Sequence, residues 1–350
     1  MCSSLAQNKN YEVSLVVADG KGDEIKNNVN IVDVGSSFGS RLSRMTTIVK
    51  KVFEKAKELD SDIFHFHDPE LIPVGLKLKK LGKKVIFDIH ENTDLQILEK
   101  DWIPFIFRKI IATIYSAYEN YACTKFDFLI VPQESMFDKF DTFQKTSVIG
   151  NFPNKIKKPY FDSKKIDKYS LLYSGSVTES RGLINMLNLI NVLVKLDKRY
   201  ILTIAGSMDA KLLEKAKKHD GWLYTNYLGH LSKDEIYEVY SQNSIGLILF
   251  NNVGQYYMAY SLKLFEYMQN GMFVIMPNFG DWIKFNKNYN VGNNVPTNNY
   301  KETSGIIHNL NNEGLIKYAN DNIKSVNDNF SWESQEIKLF KLYKELINFN

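Results

Sequence analysis

The chain has 350 residues, 44% of them hydrophobic and 24% charged, with a net charge of +4. That length favours two domains over a single core, and a balance so mild, without a concentrated basic stripe, argues against a nucleic-acid-binding protein. Two cysteines, Cys2 and Cys123, stand too far apart for a metal or redox pair, which fits a reducing, cytoplasmic compartment and no disulfide framework.

Taken from the start, MCSSLAQNKN reads as the tail of a helix leading into the strand YEVSLVVA. A doubly wound domain opens on a strand, so one strand and the loop after it are expected to be absent. In a sheet of order 3-2-1-4-5 that strand is central, and its loss opens a gap rather than shortening an edge. A helix through RMTTIVKKVFEKAKEL, the strand DIFHFH, a helix through PVGLKLKKLG and the strand KVIFDIH come next. A long helical region runs from about Ile103 to Thr124, and the strand FDFLIVP follows it. Within that helical region, WIPFIFRKIIATIYSAY (Trp102 to Tyr118) crowds aromatic and aliphatic residues around Arg108-Lys109. Pro104 and the two charges argue against a membrane span, which leaves an amphipathic segment dipping into the headgroup layer of a membrane or a helix buried between domains. No uncharged apolar run reaches about eighteen residues, and no basic-then-apolar leader pattern opens the chain.

After a polar linker, NFPNKIKKPYFDSKKIDK, the alternation resumes: SLLYSGS, a helix through GLINMLNLINVLVKL, YILTIAG, a helix near DAKLLEKAKKH, GWLYTNYLG, a helix at KDEIYEVYSQ, IGLILF, a helix from Ser261 and MFVIM. Strands alternating with helices predict parallel sheets wrapped by helices. The fold class is therefore α/β, with two doubly wound Rossmann-like domains at 1–155 and 165–328. The closing FSWESQEIKLFKLYKELINFN, within 329–350, reads as an amphipathic helix across the domain junction, its main stripe Ile337, Phe340, Tyr343 and Ile347, widened by Leu339, Leu342 and Leu346.

Parallel sheets collect ligands beyond the carboxyl ends of their strands. In the first domain two strand ends carry polar groups, His65, His67, Asp68 and Glu70 on one and Asp88, His90, Glu91 and Asn92 on the other. His90, at the very end of its strand, is a candidate site residue, with His67, Asp68 and Glu91 beside it. His65 reads as a hydrogen-bonded sheet histidine. Neither stretch has a metal-ligand spacing, and no metal or other cofactor is expected.

In the second domain LLYSGSVTESRGLINML is strand, glycine turn and helix, with Gly175 in the turn and Arg181 at the helix entrance. Unpaired N–H groups at a helix N-terminus, with an adjacent guanidinium, make a reasonable diphosphate site. The stretch SLKLFEYMQNGMFVIM supplies a second entrance, capped by Ser261, with Lys263 close behind and Leu262, Phe265 and Met268 expected in the core. Glu266, one turn further in, can accept both ribose hydroxyls of a nucleotide held there.

KLFEYMQNGMFVI resembles the KLFEYMAxGxPVI signature of glycosyltransferase family 4, retaining enzymes of GT-B fold that use nucleotide sugars. HFHDPELIPVGLKLKKLGKKVIFDIHEN, YSGSVTESRGL, LTIAGS, LGHLSKDEIYEVYSQNSIGLILF and the terminal FSWES…LYKEL are similar to that family in matching order, nearly throughout the chain. The nearest resemblance is to bacterial members that build surface polysaccharide such as capsule, O-antigen or lipopolysaccharide. It implies an interdomain cleft, a nucleotide-sugar donor, a glycan or lipid-linked acceptor at the inner membrane face, Glu266 on the ribose, Arg181 on the diphosphate, His90 as the catalytic residue beside the transferred sugar, and His67, Asp68 and Glu91 on the acceptor or sugar side. Two positions depart from the pattern: Met258 stands where the family has the first glutamate of its E-x7-E pair, and Ser176 where an arginine often follows the glycine. Two further readings stay open, a non-catalytic homologue serving as a binding partner and a nucleotide-sugar epimerase.

Overall fold

The apolar runs of the sequence become strands and the amphipathic runs helices, in a computed structural model that describes residues 1–36, 44–100, 102–141, 143, 145–156, 161–258 and 260–348. Residues 157–160 of the expected linker lie outside the described residues. The chain divides into two units, Met1–Gly150 with Glu333–Asn350, and Asn151–Trp332.

In the first unit α1 (Cys2–Gln7) leads into β1 (Val13–Val17), which pairs in parallel with β3 (Val29–Asp33). Between them in sequence comes β2 (Glu24–Lys26), antiparallel to β3 on its other side. This hairpin is an addition to the elements expected from the sequence. Its turn residues Asn27 and Asn28 both have positive φ, 51° and 62°, the left-handed pair that a two-residue hairpin turn requires and that asparagine tolerates. A second sheet follows, all parallel, in the order β4 (Ile63–Phe66), β5 (Lys84–Asp88), β6 (Phe128–Val131) and β7 (Lys145–Val148).

These two sheets do not join among the described residues; β1 and β4 are both edges. Burial follows. All five residues of β1 are only half-buried despite the sequence VSLVV, whereas Phe128–Val131 of β6 are buried throughout.

The helix α2 (Val49–Leu59) precedes β4, α3 (Ile72–Lys80) joins β4 to β5, and α4 (Thr93–Glu99) and α5 (Phe105–Cys123) lead to β6. After β6, α6 (Glu134–Phe140) leads to β7. The terminal helix, Trp332–Asn348, belongs to the first unit from Glu333 onward. There the Gly150 amide donates to Gln335 Oε1 at 3.0 Å, and Lys338 Nζ donates to the Val148 carbonyl. Its stripe is corrected: Leu339, Leu342, Tyr343 and Leu346 are buried, while Ile337 is 72% and Ile347 45% exposed. The leucines expected to widen the stripe form its centre.

The second unit holds one continuous parallel sheet, in the order β10 (Thr225–Gly229), β9 (Ile201–Ala205), β8 (Ser170–Ser174), β11 (Ile245–Leu247), β12 (Phe273–Pro277) and β13 (Gly292–Val295). Strand order reverses between β8 and β11, which makes their carboxyl ends the switch point where ligands of open α/β sheets bind. After β8 comes α7 (Leu183–Leu196), and before β12 comes α8 (Leu262–Gln269). Gly246 in β11 is required by close packing, since a Cβ there would lie 2.3 Å from the Tyr267 ring of α8.

Candidate functional site

Two groups of polar side chains form at strand ends, one in each unit. In the second unit β8 ends at Ser174, and the chain turns through Gly175, whose φ of 108° is a conformation that favours glycine. Gly182 then caps α7 with φ 83°, and a Cβ on it would strike the Leu249 carbonyl oxygen at 2.0 Å. The helix entrance is thus drawn tightly against the end of β11. Arg181, just before it, donates from Nε to Tyr256 OH at 3.2 Å and from a terminal nitrogen to the Ser176 carbonyl at 3.3 Å.

From the other side comes α8. Ser261 is its N-cap in extended conformation, with no side-chain capping bond. The core positions expected along this helix need one correction. Leu262 is 38% exposed, and the inward position belongs to Lys263, 5% exposed, with Leu264, Phe265, Tyr267 and Met268. The Lys263 ammonium lies 4.5 Å from the Tyr173 ring centre and 4.9 Å from that of Phe250, and donates to Tyr173 OH at 3.3 Å. It also lies under Gly175, where a Cβ would meet Nζ at 3.5 Å.

Neither Arg181 nor Lys263 is ion-paired among the described residues. Burial, aided by the Arg181 charge and opposed by Glu266, pushes the Lys263 ammonium down to about 7. Lowering a pKa by one costs the charged form about 1.4 kcal/mol, so the apo site holds substantial free energy against that charge. An incoming anion would release it.

Glu266 is half-buried, and its Oε2 accepts from Tyr240 OH at 3.0 Å. Burial raises its pKa, while the Tyr240 hydrogen bond and the Lys263 and Lys233 charges oppose the rise. Tyr240 OH is also 3.1 Å from Ser174 Oγ, so a buried hydroxyl chain ties the carboxylate to the end of β8. Gly175, Arg181, Lys263 and Glu266 therefore meet around one strand end. The sequence reading missed Tyr240, Tyr256 and Tyr173, which hold the carboxylate, the guanidinium and the ammonium. Nothing in their spacing marks them, because their partners lie 26 to 90 positions away.

In the first unit the polar ends of β4 and β5 converge on Asp88, 2% exposed. His65 Nε2 lies 3.4 Å, His67 Nδ1 3.1 Å and His90 Nε2 3.2 Å from its Oδ2. His67 Nδ1 and His90 Nε2 are themselves 2.9 Å apart around that oxygen. An Nε2–H tautomer lets His65 donate to Asp88 and accept from Tyr343 OH on Nδ1 at 3.0 Å, as expected of a hydrogen-bonded sheet histidine. Burial alone would push the Asp88 carboxyl up, but the three histidine hydrogen bonds outweigh it and hold it well below the usual carboxylate range.

The Asp88 hydrogen bond raises the His90 pKa against partial burial, with Glu91 and Asp68 adding to the rise; burial lowers that of His65. Glu91 accepts from Gln96 Nε2, and Asp68 precedes the helical turn Pro69–Leu71. Ligand atoms of His65, His67 and Asp88 lie within 4.8 Å of one another, close enough to share a metal ion. The same separations are those of histidines hydrogen-bonded to a single carboxylate.

Comparison with known proteins bears on both units. The model of Glycosyltransferase Family 4 matches residues 1–152, and that of Glycosyl transferases group 1 matches residues 156–325. Among curated proteins none matches the chain by sequence. Of solved structures, sucrose-phosphate synthase from Thermosynechococcus elongatus superposes with a TM-score of 0.79 at 14% identity, covering 100% of this chain and 92% of the other. A glycosyltransferase from Rickettsia africae gives 0.66 at 16% identity over 93% and 86% of the two chains. Anabaena Alr3699/HepE, in complex with UDP and glucose, gives 0.68 at 12% over 91% and 87%. Identities this low speak to fold alone.

Proposed function

This chain belongs to glycosyltransferase family 4, of GT-B fold, and we propose that it moves a sugar, with retention at the anomeric carbon, from a nucleotide-sugar donor to a glycan or lipid-linked acceptor of a surface polysaccharide. The observation that carries the donor half is the pair of cations without ion-pair partners among the described residues, Arg181 and Lys263, beside the tethered carboxylate of Glu266.

In this reading Arg181, Lys263 and the amides at the α7 and α8 entrances hold the diphosphate. Glu266 accepts from the ribose hydroxyls. As the bond from the anomeric carbon to phosphate breaks, negative charge grows on the leaving phosphate, where a preset ammonium and guanidinium stabilise it without reorganising. The acceptor oxygen bonds to the same face of the sugar, and its proton passes to the departing phosphate oxygen. His90 is assigned to orient the sugar, with Asp88 fixing its ring, and His67, Asp68 and Glu91 to the acceptor or sugar side. The cytoplasm is the proposed compartment, and no metal enters the scheme.

The first test is thermal unfolding of residues 1–350 alone and with UDP, GDP, dTDP and their common sugars. UDP heads the panel because it accompanies the HepE structure. Ligand at a hundred times its Kd stabilises by about 2.7 kcal/mol, enough to move the midpoint. A midpoint moved by one base supports the donor reading; no movement with any of them counts against it.

A second reading has one observation in its favour. Among the described residues the first unit's strands fall in two separate sheets, with β1 and β4 at their edges, as befits a homologue that binds donor but transfers nothing. Donor binding without turnover against any acceptor would select it.

A further inference from the structure

The helix α5, Phe105–Cys123, is built the wrong way round for one lying in water. Its inward side carries Ala112, Glu119, Ala122 and Cys123, all buried, while Phe105 is 83%, Ile106 72%, Ile110 56% and Ile114 65% exposed. A surface helix ordinarily buries its large apolar side chains and shows polar ones, and a contiguous apolar face of this kind marks an interaction site.

Within residues 102–125 the exposed charges have one sign. Between residues 102 and 125 the basic residues are Arg108, Lys109 and Lys125, and the sole acidic residue is Glu119. Glu119 is 1% exposed and accepts from Tyr115 OH at 2.7 Å, so its carboxylate is withdrawn from the outer face. Lys109 is exposed on the helix, and Lys125 stands 5.3 Å from the Tyr121 ring centre near its C-terminal end. Arg108 reaches back to the carbonyls of Ile103 at 2.8 Å and Leu98 at 3.2 Å, fixing the approach to the helix. Trp102, 58% exposed, and Tyr121, 57% exposed, bracket the apolar face at either end. Aromatic ends, an apolar middle and basic flanks are the composition of a helix lying in the plane of a lipid interface. Among the described residues no helix is long and apolar enough to cross a membrane.

We propose that α5, with Trp102 before it, docks the protein flat onto a membrane surface rich in anionic phospholipid, with Phe105, Ile106, Ile110 and Ile114 entering the acyl boundary and Lys109 and Lys125 meeting headgroup phosphates. This surface gives the lipid-linked acceptor of the proposed reaction a meeting place. It rests on α5 alone, and its test reads no transfer.

The experiment is flotation of the full chain with vesicles of phosphatidylcholine alone or with phosphatidylglycerol at 30% (roughly the range in which surface charge attracts basic segments), at low and high salt. The full chain should float with the anionic vesicles, and salt should weaken that association. Because the side chains are exposed, a triple variant Ile106→Ser, Ile110→Ser, Ile114→Ser should keep its unfolding midpoint and lose at least tenfold in vesicle affinity, with Lys109→Glu losing severalfold on anionic vesicles. Equal flotation of the wild type and the triple variant, or none by either, overturns the proposal. So does a triple variant with a sharply lowered midpoint, which would mean the face is packed within the protein. Self-association abolished by the triple variant, without vesicle binding by the wild type, would reassign the face to contact between copies.

Discussion

The two units use the same alternation of strand and helix, yet among the described residues the second closes it into one six-stranded sheet and the first divides it between three strands and four. What this teaches is that a strand's burial comes from its place in a sheet more than from its own residues. Both β1, VSLVV, and β8, SLLYS, are predominantly apolar. Every residue of β1 is half-exposed at an edge, whereas Leu171 to Ser174 of β8, paired on both sides, are buried. Sites inherit this difference. The Lys263 ammonium is held in the buried surroundings of the central strands, while His67 and His90 beside the edge strand keep 43% and 47% of their side chains exposed.

The same substitution in both sheets breaks or sharpens this contrast, and it carries the largest expected effect. Leu172→Ala, at a fully buried position, should cost about 2–5 kcal/mol as a cavity opens, whereas Leu15→Ala in half-buried β1 should cost about 1 kcal/mol or less. Chemical denaturation of the two variants reads this directly. Equal losses would mean that β1 is as well packed as β8.

Lys263→Met comes next, and its two effects should point in opposite directions. Removing the buried cation should leave the unfolding midpoint of the apo protein unchanged or higher, because the ammonium is held there at a cost. Affinity for a nucleoside diphosphate should fall about a hundredfold, roughly 2.7 kcal/mol, by isothermal titration. A variant that still binds tightly would remove Lys263 from the site.

How much of this could be read in the sequence divides along the same line. Strand and helix periodicity is local, so the alternation, the helix through Phe105–Cys123 and the parallel second sheet are legible. Gly175, Arg181, Lys263 and Glu266 are placed near one another by the rule for strand ends. The Asn27-Asn28 turn has a local signature too, but the strand before it, three residues long, is too short to show a period. What could not be read is long-range: that Lys263 rather than Leu262 faces inward, that Tyr240 grips Glu266, and that three histidines share Asp88. A side chain's partner from another strand leaves no mark on its own neighbours.

The Lys263 ammonium also makes the contrast dependent on pH, with opposite signs for folding and binding. Its folded pKa of about 7 lies below the ordinary 10.5, so between those values the unfolded chain holds more protons. Its contribution to apo stability therefore rises with pH through that window. Binding a diphosphate favours the ammonium, so affinity should weaken above about pH 7, by up to about tenfold for each step of one in pH. Titrations at about pH 7, 8 and 9, spanning that window, check this, and Lys263→Met should flatten the slope. A slope that survives in the variant would assign the proton elsewhere.

Smallest is the effect of Tyr240→Phe, which removes one hydroxyl from the chain that joins Glu266 to Ser174. A hydrogen bond to a charged group contributes about 1.5–3 kcal/mol, but the half-exposed carboxylate can exchange the hydroxyl for water, which leaves about 1 kcal/mol. The Glu266 pKa should rise further, since that bond now opposes the effect of burial. Nucleotide affinity should drop about fivefold, and lowering the pH toward the raised pKa should enlarge the deficit by protonating the group meant to accept from ribose. A deoxyribose nucleotide separates the two roles of Glu266: with one hydroxyl fewer to bind, it should lose less affinity on Tyr240→Phe than the ribose form. Equal losses would mean that Tyr240 supports the fold around β8 and not the ribose contact.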